Sequence, residues 1–387
     1  MMARLQNRRF FLPVLAGVVL SAVFSTPRAA AMPFAAVGEN IHVYLLGGLS
    51  VRYDDNLYLS RLNTQSDIVT TVTAGVQMEF GSPDTRNSAN VMFRKNYVFY
   101  NSRSENNTDN MAFSGSATLA GAQSSVTVAA SVTPSEYNSR DAIGLGRLVK
   151  STNYTASIDG TYALTGKTRL SGGITYSTTE YSTDGYSNQS SITVPVRVMY
   201  EVTAKTDVRA GYTYRATMIS GFEDQDSVDH TVSIGTSREI TPTLSGDIEV
   251  GLTNRQLANG ESGTIIPVNG VLTWVATPRM IYSAIARRDF GNSAIAGTSY
   301  LQTLVGLNMS YGFAERWNAA AGLSYEIADY VDSARVDNYW TGNIDVSYSP
   351  NQFMSMSAGY IFRMNTSTLQ LAEFDSNVVS FSVNARY

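Results

Sequence analysis

The sequence predicts an all-β fold, a transmembrane antiparallel β-barrel of about eighteen strands with short periplasmic turns and longer extracellular loops. Three observations predict it. Apolar and polar residues alternate from Ile41 to the end, tight connections alternate with longer ones, and aromatics collect at strand ends beside the tight connections. Alternation at a period of two marks a strand whose two faces meet different solvents. Only 16% of residues are charged, against roughly 25% in soluble domains. With 23 Tyr and 30 Gly, the composition suits a wall wetted by lipid on one side and water on the other.

The first element is a leader. Arg4, Arg8 and Arg9 precede an apolar run from Phe10 to Phe24, and "RAAA" follows, the charged, apolar, small order of a secretory signal peptide. The run is about fifteen residues and holds Pro13, short of the roughly twenty that span a bilayer as a helix. The expected division is a signal peptide at 1–31, a short periplasmic segment at 32–41 and an outer-membrane barrel at 42–387. The chain has no cysteine, which excludes a disulfide framework and a lipid-modified N-terminal Cys. Its net charge is −4, and losing Arg4, Arg8, Arg9 and Arg28 with the leader makes it more acidic. Nucleic acid, which wants a basic surface, is not an expected partner.

The strands follow in order. Val43, Leu45, Leu49, Val51 and Tyr53 share one face of the first, Val72, Ala74, Val76 and Met78 of the second, Val91, Phe93, Tyr97 and Phe99 of the third, where Lys95 interrupts. "ITVPVRVMYE" sets Ile192, Val194, Val196, Val198 and Tyr200 opposite Thr193, Arg197 and Glu201. In the strand around Met280 to Phe290, Ile281 and Ile285 blur the parity. Tight turns such as "LTGK" at 164 and "TAK" at 203 alternate with "FEDQDS" at 222 and "LQLAEFD" at 369, and no plug is visible among the connections. A soluble sandwich or propeller would alternate too. It would not mass Phe80, Tyr162, Tyr200, Trp274, Tyr311, Trp317, Tyr348 and Tyr387 beside the turns, as an interfacial girdle does.

The last strand, "VVSFSVNARY", places Phe381, Val383 and Tyr387 on its apolar face. It resembles the C-terminal signal read by the barrel assembly machinery, which with outer-membrane lipid and lipopolysaccharide makes up the expected partners. The expected location is the outer membrane, reached through the periplasm.

Little in the chain suggests catalysis. His42 and His230 are its two histidines. His230 beside a Ser is a weak candidate for a lipase-like site, set against a plain girdle residue. "GLGR" at 144 has no strand-to-helix context for a phosphate cradle. No catalytic residue, metal site or cofactor is assigned.

The polar parity carries the candidate site. Arg52, Arg94, Arg169, Arg197, Arg209, Arg215, Arg255, Arg287 and Arg363 are expected to point inward, with Glu79, Glu201, Asp247, Glu249, Glu326 and Asp345 facing them; Asp159, Asp229, Asp289 and Arg386 share that face. These groups either pair across the wall and hold it or line a transport path. On the second reading, reversing Arg197, Arg209 and Arg215 to Glu disturbs transport and leaves assembly intact. Asp54, Asp55, Glu223, Asp224, Asp226, Asp332, Asp337, Glu373 and Asp375 fall near the longer loops, an acidic rim suited to divalent cations bridging lipopolysaccharide.

"VRYDDNLYLS", Val51 to Ser60, carries an extracellular acidic motif, Asp54, Asp55 and Asn56, at the end of the first strand. It resembles the Tyr-x-Asp-Asn element of the putative beta-barrel porin type 2 family, and the strand count, short loops and terminal aromatic are similar to that family's. The resemblance implies a conduit for an exopolysaccharide or capsular polysaccharide, with a polysaccharide export lipoprotein or a periplasmic export partner. Diffusion of small solutes is the alternative, and a non-conducting structural or adhesive barrel a third reading. A capped turn is the competing reading of Asp54 to Asn56.

Overall fold

A computed structural model describes residues 33–38, 40–81, 86–135, 138, 146–295, 297–331 and 333–387. The expected leader and Asp332 lie outside them. Twenty strands form one sheet: β1 (Ala35–Val37), β2 (Ile41–Asp54), β3 (Asp67–Phe80), β4 (Asn87–Tyr100), β5 (Thr108–Ala120), β6 (Ser124–Ser135), β7 (Ser151–Ala163), β8 (Thr168–Tyr181), β9 (Gln189–Thr203) and β10 (Thr206–Ile219). There follow β11 (Ser227–Thr241), β12 (Leu244–Leu257), β13 (Ser262–Ile265), β14 (Val268–Thr277), β15 (Met280–Asn292), β16 (Ser299–Ala314), β17 (Trp317–Tyr330), β18 (Val336–Tyr348), β19 (Met354–Ser367) and β20 (Phe374–Arg386). β13 and β14 both pair with β12 in one register and are two halves of a single stave. β1 is a short addition to β2, formed from the expected periplasmic segment. The rest is a closed antiparallel barrel of 18 strands.

Closure is by pairing of β2 with β20, from Leu46↔Arg386 to Asp54↔Val378. Leu45 and Tyr387 exchange both backbone hydrogen bonds, at 2.6 and 3.0 Å, so the last residue completes the ladder. A membrane wall needs this, because an open edge in lipid leaves backbone groups unpaired. One rim carries both β2's start and β20's end with tight turns such as 204–205, 242–243 and 278–279; the other carries longer connections such as 55–66 and 136–150. In barrels of this kind the second rim faces outward from the cell.

The parity expectations hold strand by strand. Leu45, Leu49, Val51 and Tyr53 are exposed on the outer face, whereas Tyr44 and Asp54 are buried on the inner. Val232, Ile234, Leu252 and Leu307 are likewise bare on the outside. A soluble sandwich would bury such a face. At the turn rim Trp317 stacks on Tyr348 with centroids 4.5 Å apart, and Trp274 on Tyr282 at 5.4 Å, completing the girdle. Lys95 stays on the outer face, where it pairs with Asp109 of β5.

Two prolines interrupt the ladders. At Pro195 the β8–β9 pairing skips two positions and then resumes, from Gly172↔Val196 to Thr175↔Thr193. At Pro267, between β13 and β14, pairing with β12 resumes, but pairing with β15 starts only at Val268↔Arg288. Proline has no N–H to give a ladder.

Candidate functional site

The lumen has two unlike walls. Along β5 to β8 the inward residues are mostly Ser, Thr, Asn, Ala and Gly, with Asp159 and Arg169 as the charges. Thr118 and Thr127 hydroxyls meet at 3.0 Å, and Asn153 donates to Thr179 Oγ1 at 3.0 Å. These contacts join next-door strands and leave spare donors and acceptors for water.

From β9 round to β15 the wall is ionic. Arg215 on β10 donates from Nε to Asp229 on β11 at 2.7 Å and from Nη1 to Asp289 on β15 at 2.9 Å. Arg255 on β12 grips the same Asp229 through Nε and Nη2, at 2.7 and 2.8 Å. Nearer the turn rim, Arg209 holds Asp247 through both terminal nitrogens and Glu249 through Nε, each at 2.7 Å. Arg197 lies 3.6 Å from Glu249, and Arg169 lies 3.1 Å from Asp207. Bidentate guanidinium–carboxylate pairing of this kind fixes orientation as well as charge. The expectation that Arg197, Arg209 and Arg215 can be reversed without harm to assembly does not survive this geometry. Each is paired to carboxylates on other strands, and reversal would set acid against acid.

Other predicted residues also find partners. Arg386 reaches Glu79 at 2.5 Å and lies over the Tyr44 ring. Arg363 reaches Asp54 at 3.3 Å. Arg52, Arg94, Glu326 and Asp345 occupy the inward parity on strands outside the ionic wall, and Glu201 occupies it on β9. Arg287 lies 3.9 Å from Asp289, the loosest contact of the group.

The acidic motif is a clasp. Asp54 and Asn56 are buried, so they add nothing to an acidic rim. Asp54 accepts from Ser376 Oγ at 3.3 Å; Asp55 accepts from the Asn377 N–H at 2.6 Å and its side-chain amide at 2.8 Å. The Asn56 amide donates to the carbonyls of Asp375 and Ser60, at 2.7 and 2.8 Å, and its oxygen accepts from the Ser60 N–H. The motif therefore ties the first strand to the last and turns the chain inward. Asp337 is buried as well, in contact with Arg335, Ser367 and Tyr330. Among the described residues no group of three acids or histidines could hold a metal ion.

The expectation of a plug-free barrel is corrected at the outer rim, where two connections fold into the mouth. In 55–66, Leu57, Tyr58 and Leu59 are buried, and Leu57 and Tyr58 cluster with Leu148 against Val69, Val98 and Tyr100 on the inner faces of β3 and β4. Asn106 donates to the Tyr58 hydroxyl at 3.0 Å, and Asn138 ties Tyr58 to Arg147 and Val149 through three hydrogen bonds. Leu59 sits at φ 51°, which costs an L-residue roughly 1–2 kcal/mol. Burying its side chain is worth roughly 1.5–3 kcal/mol and offsets that.

The second connection is a strap. At Ser293 and Ala294 the connection between β15 and β16 reaches β9 and the connection that precedes it. Ala294 O accepts from Ser187 N at 3.0 Å, and Ser293 O from Gln189 Nε2 at 2.5 Å. Gly297 has φ +63°, and a Cβ there would stand 2.8 Å from Ile219. Both conformation and contact require glycine. Below the strap the lumen is open enough that inward Val271, Val275 and Ile281 remain over a third exposed. The signal for the inward loops was the apolar "LYL" within a connection, which read alone as surface.

His230 lies on the outer face, its Nδ1 2.7 Å from the Tyr212 hydroxyl and its ring beside Tyr214. That is a membrane-facing aromatic patch, with no acid poised behind the imidazole among its contacts.

The fold is similar to that of solved outer-membrane proteins of Pseudomonas aeruginosa. OpdK aligns at TM-score 0.50 with 8% identity, covering 89% of this chain and 98% of that one. OccK5 (OpdH) aligns at 0.51 with 11% identity over 91% and 99%, and OccK9 (OpdG) at 0.51 with 10% identity over 89% and 98%. At these identities the likeness is one of fold. No curated protein matches the sequence. With a closed barrel, a hydrophilic lumen and loops folded into its mouth, and with the family model Putative beta-barrel porin 2 matching residues 32–387, the chain belongs to that porin family.

Proposed function

We propose that the protein is a passive outer-membrane channel for small solutes, sized by the loops that fold into its mouth. Barrels of about sixteen to eighteen strands are wide enough to leave an aqueous path. The observation that carries the reading is the pair of inward connections, 55–66 and 293–298, lodged over a polar lumen. Export of a polysaccharide, which the family resemblance implied, is the weaker reading, since the same loops narrow the passage a polymer would thread. The two signs of charge on the ionic wall are matched and favour weak ion selectivity. Delivery by the leader, insertion through the assembly machinery by way of Phe381, Val383 and Tyr387, and contact with lipopolysaccharide belong to this reading.

The test is swelling of proteoliposomes in isosmotic sugars of rising size. Mono- and disaccharides are expected to enter and large dextrins to be excluded, and deletion of residues 294–296 is expected to raise the cutoff. Equal entry of every size, or entry of none, would overturn the proposal.

A further inference from the structure

The barrel wall has a seam at Pro267. β13 pairs with β12 alone, and the last residues of β15, Asp289 to Asn292, pair with β16 alone. Extending the β14–β15 register upward would set Ile265 opposite Gly291, yet no ladder forms there. Proline by itself does not open a wall, because the ladder re-forms past Pro195. Side chains close the gap instead. The buried Phe290 ring lies where a Cβ on Gly263 would touch it at 3.6 Å. The Arg255 guanidinium stacks on that ring at 4.4 Å and donates to Asn292 Oδ1 at 2.9 Å. Unpaired backbone in a barrel wall is tolerated only where protein covers it or water reaches it, and here the cover is the Phe290 ring.

Two further features converge on the seam. The inner face below it departs from the polar lumen: Val275 pairs with Ile281 and Val271 with Ile285, with Leu304 buried alongside on β16. These include the two isoleucines that blur the parity of the sequence. At the foot of the seam, the last paired positions are Asn269↔Arg287 and Val268↔Arg288. Consecutive strand residues face opposite ways, so Arg287 presents a cation to the lumen and Arg288 one to the lipid side. An apolar track ending at a cation on each side of a closable gap fits a molecule with an apolar chain and an anionic head.

We propose that the β13–β15 seam is a lateral port by which such an amphiphile passes between the lumen and the outer leaflet. The proposal rests on the channel reading and adds a route and a ligand class to it. Displacing the Phe290 ring opens the gap, the chain leaves along the Val271 and Ile285 track, and the head is handed from Arg287 to Arg288.

The test uses the full barrel in proteoliposomes, with radiolabelled octanesulfonate, permanently anionic, as probe and glucose as control. The chain has no native cysteine, so Gly263→Cys with Phe290→Cys can be bridged by a short bis-thiosulfonate reagent. Bridging is expected to lower octanesulfonate flux to the share that crosses by the lumen alone, to leave glucose entry unchanged, and to be reversed by reductant. Phe290→Ala, unbridged, is expected to raise octanesulfonate flux alone. Octanesulfonate flux that ignores the bridge while glucose enters overturns the port and leaves the channel standing. No flux of either solute through the unmodified protein overturns both.

Discussion

The two walls of the lumen solve the same problem differently. Along β5 to β8 the inner face is hydroxyl and amide, and its contacts, such as Thr118 with Thr127, bridge neighbouring strands. From β9 to β12, and again at Arg287 and Asp289 of β15, the inner face is charged, and Arg215 reaches from β10 to β15. A hydroxyl left without a protein partner takes water at little cost, so the neutral wall can stay smooth and wet. A guanidinium partly withdrawn from water needs carboxylates in place, so the ionic wall is drawn together and rigid. The difference teaches that inward polarity alone does not mark a residue as facing the solute.

The largest effect is expected from the ionic wall. Arg215→Ala leaves Asp229 to Arg255 and Asp289 to the looser Arg287, and breaking a shielded pair from one side costs up to about 3 kcal/mol. The urea midpoint for loss of the heat-modifiable folded band should fall well below that of the parent. A parent-like midpoint would show that water reaches this network freely, and the contrast between the walls would vanish.

A smaller effect is expected at the clasp, which belongs to neither wall. Asn56→Ala removes the amide that holds Asp375 and Ser60, a loss of about 1–3 kcal/mol concentrated in 55–66. Proteolysis within that connection should appear on intact cells before the barrel itself loses stability. Arg287→Glu should shift the reversal potential in a salt gradient toward cations, with little change in stability, because its ion pair with Asp289 is loose. The smallest effect is expected from Thr118→Val on the neutral wall, within about 0.5 kcal/mol in the same urea assay. A large loss there would mean that hydroxyl pairs stiffen their wall as ion pairs do the other.

The barrel itself was legible because a period of two survives along the chain, β15 excepted, and residues such as Leu45 and Arg52 declare their faces without knowledge of their neighbours. Turn chemistry fixed which rim carries the chain ends. The partners of Arg215 were not legible, since bringing β10 to β15 depends on how the barrel closes and flattens. The inward path of Leu57 to Leu59 was hidden for a similar reason. Its contacts with Val98, Leu148 and Asn138 are set by three dimensions, and nothing local distinguishes a buried apolar loop from an exposed one. Ile281 and Ile285 registered as a blemish in the pattern, and only the structure turned the blemish into a track beside a seam.

The clasp at Asp54 to Asn56 also sets an order of events. The Asn56 amide and the Asp375 carbonyl are 319 residues apart in the chain, and the Asp55 contacts to Asn377 span 322. Contacts of that range come late, after the long closure they depend on. The connection that narrows the mouth is therefore held by its contacts with β3, β4, Asn106 and Asn138 alone until the final strand arrives. The clasp that fixes the root of this connection is closed by the same step that seals the wall. Truncation at the C-terminus would loosen the mouth as well as leave an open edge, so closure of the wall and fastening of its first long connection are one event.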